Sequence, residues 1–255
     1  MKALLLRLAD FLAVFWRLLP QRLRNGFATA VFVLDSRDPD PAQGLKRLFA
    51  LRDRLELVTA ERAMAYGRGE HPKHHLTRYH DFFIDRIADG ERVLDVGCGY
   101  GAVARDIAAA RPASTVVGMD MNQPRLAQAR AAANPPNLSF VEGDATRTVP
   151  EGRWDAVVLS NVLEHIVDRV GFLSSLIAAT GAGKFLIRVP HFEREWQMAM
   201  RKELRVNYYS DDDHKIEHTL AEFRDEVERA GLRVVEVSTP WGEIWAECRR
   251  DPASP

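Results

Sequence analysis

Hydrophobic and polar positions divide the chain into stretches of different period. In the first, the apolar runs Leu4-Leu5-Leu6, Leu8, Phe11-Leu12, Val14-Phe15-Trp16 and Leu18-Leu19 are cut by Arg7, Asp10 and Arg17. Asp35 to Pro41 is a polar, proline-bearing linker. Leu45, Leu48, Phe49, Leu55, Val58 and Met64 then recur at helical spacing, and Tyr66 to Pro72 closes that helix as a loop. Thr77 to Ala88 reads as a further helix with Phe82, Phe83, Ile84 and Ile87 turned inward and Asp89-Gly90 as its stop.

From Arg92 the pattern alternates between short apolar runs and amphipathic segments. Strands are predicted at 92–97, 115–120, 138–142, 154–160 and 184–189, with helices at 101–110, 124–133 and 165–179. Strands separated by helices predict a parallel sheet covered on both faces. After a helix at 220–230 and Gly231 as its cap, Leu232 to Ser238 and Glu243 to Arg249 are strands joined by the turn Thr239-Pro240-Trp241-Gly242. A connection this short makes that last pair antiparallel. The long crossover from Pro190 to Thr219 holds Trp196, Tyr208, Tyr209 and several basic residues, which predicts an ordered lid over 190–218 with its own helix at 192–203. Residues 1–77 form a helical extension, 78–250 the main domain and 251–255 a tail.

At 255 residues, 46% of them hydrophobic, the chain can fill one core and carry an extension. A formal charge of -1 gives no general attraction to nucleic acid. Cys98 and Cys248 have neither disulfide nor zinc spacing, which points to a reducing, cytoplasmic setting. Charge is uneven locally: Lys2, Arg7, Arg17, Arg22 and Arg24 face only Asp10 within residues 1–30. A membrane-spanning helix needs about 20 mostly apolar residues, and this segment is interrupted too often. Two readings stay open: a helix that docks on the domain or on a second copy in a homodimer, and one lying in the plane of the inner membrane surface.

The chemistry is concentrated where strands end. Val93-Leu94-Asp95-Val96-Gly97-Cys98-Gly99-Tyr100-Gly101 is a strand running into a glycine turn that opens a helix. Its glycines let the backbone approach a ligand, and the helix start presents free N–H groups. Alone, Gly97 to Ala102 also fits the dinucleotide fingerprint. Asp120 ends the second strand about 20 residues on, suited to ribose hydroxyls. Asp144 follows the third strand, placed to accept from an adenine amino group, and the fourth runs into Asn161-Val162-Leu163-Glu164-His165-Ile166.

These four motifs, in this order, resemble those of class I S-adenosylmethionine-dependent methyltransferases over roughly residues 78 to 249. The resemblance implies an α/β Rossmann-like fold: a seven-stranded, mostly parallel sheet with an antiparallel C-terminal hairpin strand and helices on both faces. It implies S-adenosyl-L-methionine as cofactor, with Gly97, Cys98 and Gly99 lining its methionine part and Asp95 holding its amino group. It also implies Asp120 on the ribose, Met121, Asp144 and Ala145 at the adenine, and Asn161, Val162 and Leu163 near the sulfonium. Asn134-Pro135-Pro136-Asn137 is similar to the signature of amino-methylating DNA enzymes, but it precedes the third strand and lacks the final aromatic, so nucleic acid is not expected as a partner.

For an alcohol acceptor the site must remove a proton, and histidine is the usual base. His191, His214 and His165 are the candidates. Lys73, His75, Tyr79, Tyr208 and Tyr209 are candidates for gripping the acceptor. Asp211-Asp212-Asp213-His214 has the donor types of a divalent-cation site but reads more simply as a solvated acidic turn, and no metal is expected. Gly69 to Phe83 and Asp211 to Thr219 are similar to segments of methyltransferases associated with bacterial surface-glycan synthesis, which implies a sugar hydroxyl, on a lipid-linked or nucleotide-linked glycan, as acceptor. A quinone or lipid phenol is the alternative, and a non-catalytic cofactor-binding subunit stays open.

Overall fold

The computed structural model describes residues 2–69 and 71–251, with residues 2–6 described by their backbone only. The side chains of Lys2 and Leu4 to Leu6, all of Glu70 and the tail beyond Asp251 therefore lie outside the described residues. The chain forms two compact units: the residues up to His71 with Glu203–Val206, and Pro72–Lys202 with the residues from Asn207 on.

The first unit holds α1 (Lys2–Leu18), α2 (Gln21–Ser36) and α3 (Pro41–Tyr66). Pro20 stands immediately before α2 with φ -53 and ψ 142, so the chain leaves helical geometry there and restarts. The second helix continues through Asp35 and Ser36, into the predicted linker, with Ser36 Oγ donating to the Val33 carbonyl at 2.8 Å in the last turn. Asp40 then caps α3 by accepting from the Ala42 N–H at 3.0 Å, with Pro41 in the first turn. Gly44 permits the close return: a Cβ there would stand 2.2 Å from the Ser36 carbonyl oxygen.

The second unit begins with two short helices, α4 (Lys73–Thr77) and α5 (Tyr79–Ile84), where one helix over 77–88 was expected. Arg78 breaks the run with a left-handed φ of 51. The remaining elements are β1 (Arg92–Val96), α6 (Ala102–Ala110), β2 (Thr115–Asp120), α7 (Gln123–Ala131), β3 (Leu138–Glu142), β4 (Ala156–Ser160), α8 (Arg169–Thr180), β5 (Lys184–Pro190), α9 (Trp196–Glu203), α10 (Leu220–Arg229), β6 (Leu232–Ser238) and β7 (Glu243–Arg250). The sheet order is β3-β2-β1-β4-β5-β7-β6; neighbours from β3 to β5 are parallel, and β7 runs antiparallel to both β5 and β6. This is the expected seven-stranded mixed sheet.

One face of the sheet carries Phe82, Phe83, Val103, Ile107, Val116, Val158 and Trp245, all buried, under α5 and α6. The other carries Leu94, Leu159, Phe185 and Ile187 with Phe172, Leu173, Leu176, Phe223 and Val227 of α8 and α10. Alternation along each strand sends neighbouring side chains to opposite clusters. Two predicted helices start late. Leu163–His165 is only a 3-10 turn, and α8 begins at Arg169 because the Asp168 side chain accepts from the Gly171 N–H at 2.9 Å. Likewise Phe192–Arg194 is a separate 3-10 turn, and the lid helix α9 starts at Trp196.

Candidate cofactor and acceptor site

The carboxyl ends of β1, β2 and β4 converge on the glycine loop. Gly97, Gly99 and Gly101 all adopt left-handed backbone, with φ of 69, 55 and 73. A Cβ on Gly97 would meet the Val162 side chain at 2.8 Å and one on Gly101 would meet the Phe140 ring at 2.5 Å, whereas one on Gly99 would meet nothing within 4 Å. Gly97 and Gly101 thus serve packing, while Gly99 borders open space that a ligand can fill. Cys98 is half-buried, and burial pushes its thiol far above the usual range, which makes it a packing residue rather than a nucleophile.

Asp95 is buried at the end of β1, and its Oδ2 meets no donor. Burial pushes its pKa up to about 8; the Ala104 N–H opposes this and nearby Asp120 adds to it. Across the sheet, Asn161 holds a left-handed φ of 59 at the end of β4, and its buried Oδ1 also lacks a partner. Two orphaned acceptors beside a glycine turn suit a cationic amine with several N–H donors. Asp120 accepts from the Gly99 N–H and from the Asn122 N–H, each at 2.7 Å, which fixes its carboxylate beside the loop. Met121 next to it is 71% exposed. Asp144 is turned into its own loop, accepting from Thr146 N at 3.0 Å and Thr146 Oγ1 at 2.6 Å, and those bonds hold its pKa low. Ala145 packs at the rim of the core, Val162 covers Gly97 and Leu163 is buried.

Beyond Leu163 the site meets the lid. Glu164 is fully buried with neither carboxylate oxygen hydrogen-bonded, and burial raises its pKa to about 8 against the pull of His214 and Arg188. The rings of His165 and His214 lie edge to face at 4.8 Å, and His165 Nδ1 is 3.2 Å from Asp213. Burial, aided by His214, holds His165 below its ordinary pKa. Burial also works to lower His214, but its hydrogen bond to Glu217, with Glu164 close by, leaves it raised. Glu217 organises the lid: its side chain is wholly buried, pairs with Arg194, and accepts from Ser210 N and His214 Nδ1 at 2.5 and 3.3 Å. Donor atoms of Glu164, His165 and His214 lie within 4.8 Å of one another, as do those of Asp211, Asp213 and His214. Both sets have the ligand types a divalent cation accepts.

His191 stands apart at the end of β5, with Nε2 3.3 Å from Glu193. Tyr208 and Tyr209 stack at 4.5 Å, with the Phe192 ring 5.6 Å from Tyr208 and the Lys202 ammonium over both Phe192 and Tyr208. On the other side, Tyr79 OH is 2.9 Å from His74 Nδ1, and the Arg188 guanidinium lies 3.8 Å over the Tyr79 ring. Arg188 in turn pairs with Glu243 and donates to Ser160 Oγ at 3.2 Å. Burial and Arg188 together lower the Lys73 ammonium, while His75 is exposed. Sequence reasoning missed Arg188, Glu217 and Glu243. Only Arg188 left a signal, as a charge inside the apolar run Phe185 to Pro190.

A parallel sheet ending in an antiparallel strand, with strand-end acids around a glycine loop and buried acceptors awaiting an amine, defines an S-adenosylmethionine-dependent methyltransferase of class I. Residues 68–237 match the family model described as a methyltransferase domain, and the chain belongs to that family. It is 30% identical over 128 residues to a fatty-acid O-methyltransferase of Mycolicibacterium smegmatis, covering 48% of this chain and 46% of that protein. It is 31% identical over 170 residues to a ubiquinone biosynthesis O-methyltransferase of Methylobacterium nodulans, covering 62% of this chain and 67% of the relative. The match thus spans less than half of the first relative and about two thirds of the second. Among solved structures, magnesium protoporphyrin IX methyltransferase from Synechocystis PCC 6803 with bound SAH superposes with a TM-score of 0.54 at 18% identity, over 68% of this chain and 83% of that one. An S-adenosylmethionine-dependent methyltransferase from Mesorhizobium loti gives 0.52 at 18% identity, over 64% and 92%. Among the described residues, no helix is long and apolar enough to cross a membrane.

Proposed function

We propose that the chain O-methylates a hydroxyl of a small-molecule acceptor, a sugar of a lipid-linked surface-glycan precursor, at the cytoplasmic side of a membrane. The observation that carries this reading is the lid: aromatic faces of Phe192, Tyr208 and Tyr209 lie in the same lid as the Glu217–His214 pair, and His214 stacks against His165 just past Asn161 to Leu163. Stacked aromatic surface suits the apolar face of a sugar ring, and a carboxylate-held histidine suits removal of a hydroxyl proton.

Bound S-adenosylmethionine supplies an electrophilic methyl group on sulfur. Asp95 and the Asn161 side-chain oxygen would hold its amino group, while Gly99 gives the backbone its close approach and Gly97 and Cys98 shape the loop that carries it. Asp120 takes the ribose, Met121 and the Asp144–Ala145 turn border the adenine, and Val162 and Leu163 confine the reacting end. His214 is the base: Glu217 accepts from Nδ1–H, which leaves Nε2 to take the acceptor proton. His165 packs against this base, and His191, Tyr79, Lys73 and His75 are assigned with the lid tyrosines to the acceptor.

A lipid phenol of quinone type is the second reading, favoured by the 31% identity to the ubiquinone biosynthesis relative. Transfer of label from S-adenosylmethionine to lipid-linked sugars and to polyprenylated phenols separates the two. His214→Ala should cut turnover by roughly 100-fold or more while leaving S-adenosylhomocysteine affinity unchanged. Tight cofactor binding with no transfer to any acceptor would overturn the enzymatic reading in favour of a cofactor-binding subunit.

A further inference from the structure

The two N-terminal helices expose apolar surface that soluble domains normally cover. On α1, Phe11, Phe15 and Leu18 are 60%, 55% and 77% exposed; on α2, Phe27, Val31 and Leu34 are 60%, 54% and 73% exposed. Each trio has the spacing i, i+4, i+7, which places it on one face of its helix. No residue of α2 is buried, so this face is not part of a core. The Trp16 and Phe27 rings approach to 6.1 Å across the Pro20 break, so the two helices meet through their aromatic residues. Contiguous exposed apolar surface of this kind marks an interaction site.

We infer that α1 and α2 lie in the plane of an anionic bilayer surface and dock the enzyme on it. Charge selects this occupant. Arg7, Arg17, Arg22 and Arg24 stand on the same two helices, opposed there only by Asp10 and Asp35. Arginine heads reach lipid phosphates while their stems lie along apolar surface. A two-fold contact between identical copies would instead bring each arginine-bearing face onto itself, setting like charges together as water is removed. Neither helix can span a bilayer, which leaves the in-plane mode.

The inference deepens the reading of a lipid-linked acceptor, yet it is tested without any acceptor present. Full-length protein is sedimented with vesicles of phosphatidylcholine alone and with one third phosphatidylglycerol. Binding to the anionic vesicles only, weakening with salt, is the expected result. Arg22→Gln and Arg24→Gln should each weaken it about fivefold, the equivalent of about 1 kcal/mol per charge. Phe11→Glu with Phe27→Glu should abolish it, with S-adenosylhomocysteine affinity unchanged in every variant. Equal sedimentation with both vesicle types, absence of binding to either, or a stable dimer that the Phe11→Glu change converts to monomer would overturn it. Vesicle binding without transfer to any lipid-linked sugar would sink the acceptor assignment alone.

Discussion

Asp95 combines complete burial with an oxygen that meets no donor, an arrangement that costs stability until a cation arrives. Its pKa of about 8 means the carboxyl is largely protonated in the free protein at neutral pH, whereas an ammonium partner requires the ionised form. Binding therefore releases a proton, and affinity for S-adenosylhomocysteine should rise with pH up to about 8 and level off above it. Calorimetric titrations between pH 6 and 9 would measure this, and pH-independent affinity would refute the pairing. The same group acts on folding in the opposite sense. A folded pKa raised above the unfolded value of about 3.9 means the folded state binds more protons, so stability falls as pH climbs from about 4 towards 8. Asp95→Asn should flatten part of that slope and make the free protein more stable by about 1 kcal/mol or more near pH 8, while abolishing cofactor binding. Glu164, with a pKa near the same value and the same cause, keeps the remainder of the slope. Asp95 and Asp120 were readable in the sequence because an acid closing an apolar strand is costly without a purpose. Glu164 was noticed only as part of a motif, since its burial depends on lid residues some 50 positions away.

Elements were legible wherever period and capping agreed. The strands and the helices α6, α7 and α10 fall within a few residues of their expected bounds because each apolar run is closed by a turn former or a cap, as Thr219 and Glu222 close α10 in a reciprocal pair. The misses share one cause. Arg78 breaks the α4–α5 run, and Asp168 delays α8, through local backbone choices that apolar spacing does not register. The lid lies at the far end of this scale: its order depends on Glu217, whose partners Arg194, Ser210 and His214 lie in turns and irregular chain and form no apolar period. Glu217→Gln leaves the half-buried Arg194 charge without its counter-ion and should destabilise the protein by about 1–3 kcal/mol, read from urea unfolding at pH 7. Its carboxylate is held below the ordinary range, so its contribution is present above the unfolded pKa of about 4.3 and is lost as pH falls through the folded value. The variant and the natural protein should accordingly converge in stability under acid, and a constant gap down to pH 3 would show that Glu217 acts by shape rather than charge.

At the scale of the whole molecule, two surfaces make separable demands on one substrate. On the proposed reading, a lipid-linked acceptor would reach the active site from a bilayer, and docking of α1 and α2 there would confine the enzyme to the layer that holds it. Confinement raises the local acceptor concentration without altering the aligned complex, and the gain therefore belongs in KM rather than kcat. Loss of Arg22 and Arg24 together, about 2 kcal/mol of attraction to anionic lipid, should raise the apparent KM for a vesicle-borne acceptor by some 20- to 30-fold and leave kcat unchanged. A water-soluble, short-chain analogue should show no change in either constant, because it never uses the surface. His214→Ala should give the converse pattern, with kcat lowered on both acceptors and KM little affected. Steady-state rates for two acceptors and two variants therefore separate docking from chemistry. If the arginine variant lowered kcat on the soluble analogue, the N-terminal helices would be acting on the catalytic unit itself rather than on its address.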